Sequence, residues 1–200
     1  IAAMISSFVR LLLIGFVSLG LFGSLTRPCA LDWVRWRGPD LNGISRETGW
    51  LTKWPDDGPK RLWKAKVGTG FSSLVVANGN VYTLGNSGRG RGEEKDTMFC
   101  FDAATGKVIW SYIYEAKLDP KYYDGGPSGT PTVDGERTYA LTTWGDLHCV
   151  ETATGKKLWN VHLKADLEGK VIHDGRYTES PLIDGDVLVC TPGWPLVTVA

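Results

Sequence analysis

Histidine and cysteine are scarce in this chain, 3 and 4 among 200 residues, and none of them stands in a metal-binding spacing. No CxxC pair or mixed His/Cys cluster points to zinc. His148, His162 and His173 make no metal-spaced pair, and neither a Ser/His/Asp triad nor a Walker-type phosphate loop is present. A charge surplus is missing too, since 22 Lys and Arg stand against 22 Asp and Glu. Phosphate backbones are bound through a clustered positive excess, so nucleic acid is excluded as the main partner. After residue 30 no stretch keeps a helical period, which excludes a helical bundle and leaves an all-β reading.

What the chain does have is repetition. CFDAATGKVIW, from Cys100 to Trp110, returns as CVETATGKKLW from Cys149 to Trp159. Trp63, in RLWKAKV, precedes Trp110 by a similar interval and marks the same strand of an earlier unit. A second element repeats beside it: VVANGNVY around Gly79, TVDGERTY around Gly135 and LIDGDVLV around Gly185 each read as strand, Asx-Gly turn, strand. Units of about fifty residues built from short strands and tight turns are propeller blades, four-stranded antiparallel sheets that bury their faces only against neighbours. The expectation is a β-propeller of seven or eight blades when complete, represented here by about three. The chain reads as a piece of a longer protein, with RLWKAKV (61–67) an outer strand that completes the last blade and fastens the ring. The 25 glycines and 10 prolines suit so turn-dense a fold.

Residues 1–30 read differently. Arg10 precedes LLLIGFVSLGLFGSL, and Arg27, Pro28, Cys29 and Ala30 follow. A positive flank and an apolar core too short for a membrane span of about twenty residues make a secretory signal peptide, so export is expected and the membrane is met only through that signal. Pro28 is not the small residue usual before a cut after Ala30, which keeps an uncleaved anchor as an alternative. Thr-Arg-Pro before Cys29 lacks the small, apolar approach of a lipid-attachment box. Residues 31–59 are read as a lead segment and residues 60–200 as the partial propeller. Of the remaining cysteines, Cys100 and Cys149 hold equivalent places in successive blades, where a buried free thiol is expected. Sheets packed about 10 Å apart do not bring such positions within disulfide reach.

The repeated motif has a mechanical reading. Gly106 supplies the left-handed backbone that closes a hairpin, Asp102 and Thr105 bond the turn, and Trp110 projects a flat ring from the outer strand to lie between blades. Thr154, Gly155 and Trp159 repeat this, with Glu151 in place of Asp. The pattern resembles the tryptophan-docking repeat A-x-D-x-x-T-G-x-x-x-W of the pyrroloquinoline-quinone (PQQ)-type propellers, with Cys where that repeat has Ala. Trp36-Arg37-Gly38-Pro39 resembles the opening of secreted bacterial members of that group that are not dehydrogenases. The resemblance implies one of three functions: a non-catalytic scaffold in the bacterial envelope, a quinoprotein alcohol or sugar dehydrogenase using PQQ and calcium, or an outer-membrane assembly factor. Such dehydrogenases hold PQQ over the axis with calcium, an adjacent-cysteine disulfide ring, a stacking Trp and a catalytic Asp. No Cys-Cys pair and no matching calcium-ligand cluster is readable here, so the expectation is a scaffold without a cofactor, and its partner is an unidentified protein or small molecule.

Strand alternation assigns the connections to two faces. The Asx-Gly and Thr-Gly-Lys turns share one, and the long connections 85–96, 115–129, 143–146 and 164–180 share the other, where binding residues collect. Tyr122, Tyr123, Asp124, Trp144, His173, Asp174, Arg176, Tyr177 and Glu179 are the candidates there. Asp124 and Glu179 are expected to approach the channel mouth, and Trp144 to lid the blade edge. Gly88 to Gly92, GRGRG, reads as a hairpin tip.

Overall fold

The computed structural model describes residues 31–88, 94–121, 124–169 and 176–191. Its first sheet contains β1 (Val75–Ala77), β2 (Asn80–Asn86), β3 (Lys95–Asp102) and β4 (Val108–Glu115), each antiparallel to the next. A second repeats the order with β5 (Thr132–Asp134), β6 (Arg137–Leu141), β7 (Asp146–Glu151) and β8 (Lys157–His162). The hairpin β9 (Leu182–Asp184) and β10 (Val187–Val189) opens a third. The fold is an all-β partial propeller: two whole blades and the start of another.

Turn chemistry explains the strand ends. In the first blade Asn78 and Gly79 both take positive φ, as a two-residue type I′ hairpin turn demands. In the next two, the register pairs Asp134 with Arg137 and Asp184 with Val187. The turn residues are therefore Gly135-Glu136 and Gly185-Asp186, one position later than the Asx-Gly dipeptides suggest. Only the glycine of each pair has positive φ, the type II′ pattern. Both kinds of turn lie together: the Ala103 N–H donates to the Gly79 carbonyl at 2.9 Å, and the Thr152 N–H to the Glu136 carbonyl at 2.9 Å.

Two further departures from the sequence reading are local. A β-bulge shifts the register between Cys100 and Phe101, and again between Cys149 and Val150. A short helix, α1 (Leu163–Leu167), follows β8 where no helix was expected. The His162 ring caps it by accepting from the Lys164 and Ala165 N–H groups, and Glu168 ends it in a left-handed conformation. Five residues are too few to show a period.

The core lies between blades. Tyr82, Leu84, Met98, Cys100 and Trp110 of the first sheet pack with Val133, Ala140 and Val150 of the second. Cys100, Cys149 and Cys190 are buried free thiols, each pushed up to about 11 by burial. Residues 61–67 form no strand, yet Trp63, Ala65 and Val67 are half-buried and the residues between them exposed, the alternation of an extended segment.

Candidate functional site

Three tiers of contact bind the blades, and they define where a ligand has room. The outermost is the Trp-Gly dock. Trp110 donates its indole N–H to the Thr152 carbonyl of the next blade at 2.9 Å, and its ring lies so close to Gly155 that a Cβ there would fall 2.5 Å from it. Gly155 also needs φ +71, so glycine is required twice over. Trp63 stands the same way to the first blade, donating to the Ala103 carbonyl at 2.9 Å above Gly106. Trp110 is 7% exposed and Trp159 37%. Within the turns, the Asp102 carboxylate accepts from the Thr105 N–H at 2.7 Å and the Thr105 hydroxyl at 2.6 Å, which holds its pKa below the usual value. Glu151 keeps the bond from the Thr154 hydroxyl. The longer side chain takes no bond from the Thr154 N–H among the described residues.

The middle tier is polar. Asn86, Asp96 and Tyr114 stand in one row across β2, β3 and β4, with the Asn86 amide donating to Asp96 at 2.8 Å and to the Ala116 carbonyl at 3.1 Å. Tyr114 stacks on His148 of the next blade at 4.4 Å, and the Tyr112 hydroxyl shares a 3.1 Å hydrogen bond with His148 Nδ1. Burial pushes Asp96 up to about 6 and His148 down to about 4. None of these groups was singled out from sequence except His148, because period-2 alternation does not tell a buried aspartate from a solvated one.

The innermost tier surrounds the axis. β1, β5 and β9 adjoin one another there, and their entry segments are laced by the Phe71 N–H to Pro127 carbonyl at 2.8 Å, Ser73 N–H to Thr130 hydroxyl at 3.2 Å and Thr130 N–H to Ser180 hydroxyl at 2.9 Å. The lead segment runs along the free edges. Asp32 accepts from the Asn78 N–H, Trp33 exchanges backbone bonds with Val76 at 2.7 and 3.0 Å, the Val34 carbonyl accepts from Val133 N–H at 2.8 Å, and Arg35 Nη1 donates to the Ile183 carbonyl at 2.9 Å. Val76, Val133 and Ile183 hold the same register position in three successive blades. Consecutive lead residues thus meet consecutive blades. Gly38 lies against the Trp33 indole, where a Cβ would approach within 2.7 Å, and this contact accounts for the glycine of Trp-Arg-Gly-Pro.

On the loop-bearing face the structure brings three connections together. Trp144 donates its indole N–H to the Lys117 carbonyl at 2.7 Å, Arg176 lies 4.0 Å above its ring, and Arg176 Nε stands 2.6 Å from the Asp119 carboxylate. Tyr177 is buried against Gly145 and donates its N–H to the Thr143 carbonyl. Glu179 accepts from the backbone and hydroxyl of Thr191, so it braces the third hairpin. Asp124 is exposed. Tyr122, Tyr123, His173 and Asp174, with residues 1–30, lie outside the described residues. Asp119 and Lys117 complete the cluster and carry no motif by which sequence reasoning would find them.

With this geometry in hand, comparison with known proteins is informative about the repeat. Residues 115–193 match the family model described as outer membrane protein assembly factor BamB. These residues carry a PQQ-like propeller repeat. No match was found among curated proteins. Among solved structures, the chain is similar to the quinohemoprotein alcohol dehydrogenase ADHIIG from Pseudomonas putida HK5, with 19% identity and TM-score 0.42 over 62% of this chain and 17% of that one. The quinohemoprotein alcohol dehydrogenase from Comamonas testosteroni gives 18% and 0.43 over 61% and 17%. BamB from Moraxella catarrhalis gives 15% and 0.35 over 60% and 45%. The chain therefore spans less than half the length of each.

Proposed function

We propose that this chain belongs to an exported PQQ-like propeller that acts as a non-catalytic binding scaffold. The observation that carries the reading is the lead segment: Trp33, Val34 and Arg35 bond the inner edges of all three described blades, along the axis over which a quinoprotein would hold its quinone. A quinoprotein would also need ligands for its calcium ion. A hard cation takes six to eight oxygens at about 2.3–2.6 Å. Among the described residues no three His, Cys, Asp or Glu side chains converge to hold one. Two acidic groups of the clustered connections are committed elsewhere, Asp119 to Arg176 and Glu179 to Thr191. Export rests on the signal-like residues 4–30.

The match of residues 115–193 to the BamB model supports a second reading, in which the partner is another envelope protein and the long connections are the docking surface. The test of the first is direct. The protein is incubated with PQQ and calcium, dialysed, and examined for quinone absorbance and dye-linked alcohol oxidation. The expected result is neither. Stoichiometric PQQ with activity abolished by a chelator would replace the scaffold with a dehydrogenase.

A further inference from the structure

The lead segment builds an open cavity beside the entry to β1 that no repeat motif predicts. Trp33, Trp36, Arg37 and Gly43 line it with Ser73 and Leu74, the residues that lead into β1 from the loop-bearing end, and it encloses about 550 Å³. That size suits a small molecule, and the wall is mostly apolar with a few polar groups at its edge, the usual make-up of a ligand site. Trp36 is 52% exposed, without a hydrogen bond from its indole among the described residues.

The charge at this end is unbalanced. Arg46 is paired with Asp40 at 2.6 Å, and Asp32 is committed to the Asn78 N–H. Arg37 has only a 3.4 Å contact with the Asn42 carbonyl, and Arg35 only its bond to the Ile183 carbonyl, with its Nε buried and unpartnered. The Arg37 guanidinium therefore lines the opening with no carboxylate paired to it among the described residues. Ser73 contributes a hydroxyl that makes no hydrogen bond of its own in the described structure. Arg37 is moreover held in a left-handed conformation, φ 63, which costs a non-glycine residue free energy unless its surroundings impose it. The Gly43 N–H imposes it here by donating to the Arg37 carbonyl at 2.9 Å.

Resting on the scaffold reading, the geometry points to a carbohydrate site in which Trp36 stacks on the apolar face of a pyranose ring, Arg37 pairs with a carboxylate on that ring, and Ser73 bonds a ring hydroxyl. A uronic acid unit has this chemistry. The platform is open to solvent on one side, which suits a sugar with a polar rim better than a flat aromatic that gains by being enclosed.

Titration of the 200-residue chain with methyl glucuronide, followed by tryptophan fluorescence and calorimetry, tests this. Saturable binding is expected, with methyl glucoside at least about tenfold weaker because the charge-assisted bonds to Arg37 are lost. Trp36→Ala and Arg37→Gln should each weaken the glucuronide about tenfold or more, while circular dichroism and the unfolding midpoint stay unchanged. Arg37→Gln should also erase the difference between the two sugars. Equal binding of both sugars by the unaltered chain overturns the carboxylate assignment. Tighter binding of benzoate than of glucuronide overturns the sugar, and no binding of either at millimolar concentration overturns the site while leaving the scaffold reading intact. Retention of PQQ with calcium at this place overturns both.

Discussion

Trp110 joins two blades through one indole, so its removal costs more than a surface contact. It fills the space above Gly155, donates to the Thr152 carbonyl and meets Tyr82 at 5.8 Å. Trp110→Ala is expected to destabilise the chain by about 3–5 kcal/mol, the range for a buried tryptophan truncated in a core, as read from the urea midpoint. A loss within about 0.5 kcal/mol, typical of surface changes, would remove the dock from the account. Gly155 offers a sharper comparison with Gly135. Both have positive φ, but a Cβ at 155 strikes the Trp110 ring, and at 135 it meets nothing within 4 Å. Gly135→Ala should cost about 1 kcal/mol, from backbone conformation alone. Gly155→Ala should cost clearly more, and equal losses would show that ring and turn are not in contact.

At the scale of elements, the row Asn86–Asp96–Tyr114 and its neighbour His148 make the seam between β4 and β7 sensitive to pH. Burial raises the Asp96 pKa in the folded state to about 6 from its ordinary value of 3.8. The folded state binds its proton more tightly, so its favourable contribution is present below about pH 4 and lost as pH rises through 6. His148, lowered to about 4 from 6.5, acts in the opposite sense, and its contribution fades as pH falls from 6.5 through 4. The two offset each other between about pH 4 and 6. Asp96→Asn removes one of them while retaining an acceptor for the Asn86 amide. The variant should be more stable than the parent at pH 8, by about 1–3 kcal/mol for a shift of this size, and should lose stability on acidification below pH 6.5 more steeply. Parallel urea-midpoint profiles across pH 4–8 would contradict this.

The elements also show what was legible in the sequence. Hairpins, blade order and the face carrying the short turns depend on alternation and turn chemistry a few residues apart, and these can be read. The one-residue offset of the Gly135 and Gly185 turns could not, because Asp-Gly suits either position until the strand register is known. The same limit applied to the middle tier. A buried Asp96 and a half-buried Asp102 look alike in sequence and differ in what the fold lays over them. On the loop face Trp144 and Arg176 stood out by type, whereas Asp119, which neutralises Arg176, did not.

At the scale of the whole molecule, the lead segment decides what the propeller offers. A propeller's inner strands present unpaired edges to the axis, and an uncovered edge is a template for association. Here the chain covers its own edges with residues 33–35 and, in doing so, takes the axial position. Trp-Arg-Gly-Pro was noticed as a resemblance. The path of residues 33–35 just before it was not legible, because their bonds join residues far apart in the chain: 33 to 76, 34 to 133 and 35 to 183. The most direct measurement is amide hydrogen exchange at Val76 and Val133, whose N–H groups point from the blade edges toward the axis and donate to Trp33 and Val34 at 3.0 and 2.8 Å. The account predicts protection comparable to that of amides inside β2 and β6. Exchange at the rate of a solvent-exposed edge would mean that the lead does not occupy the axis, and would reopen that position to a cofactor.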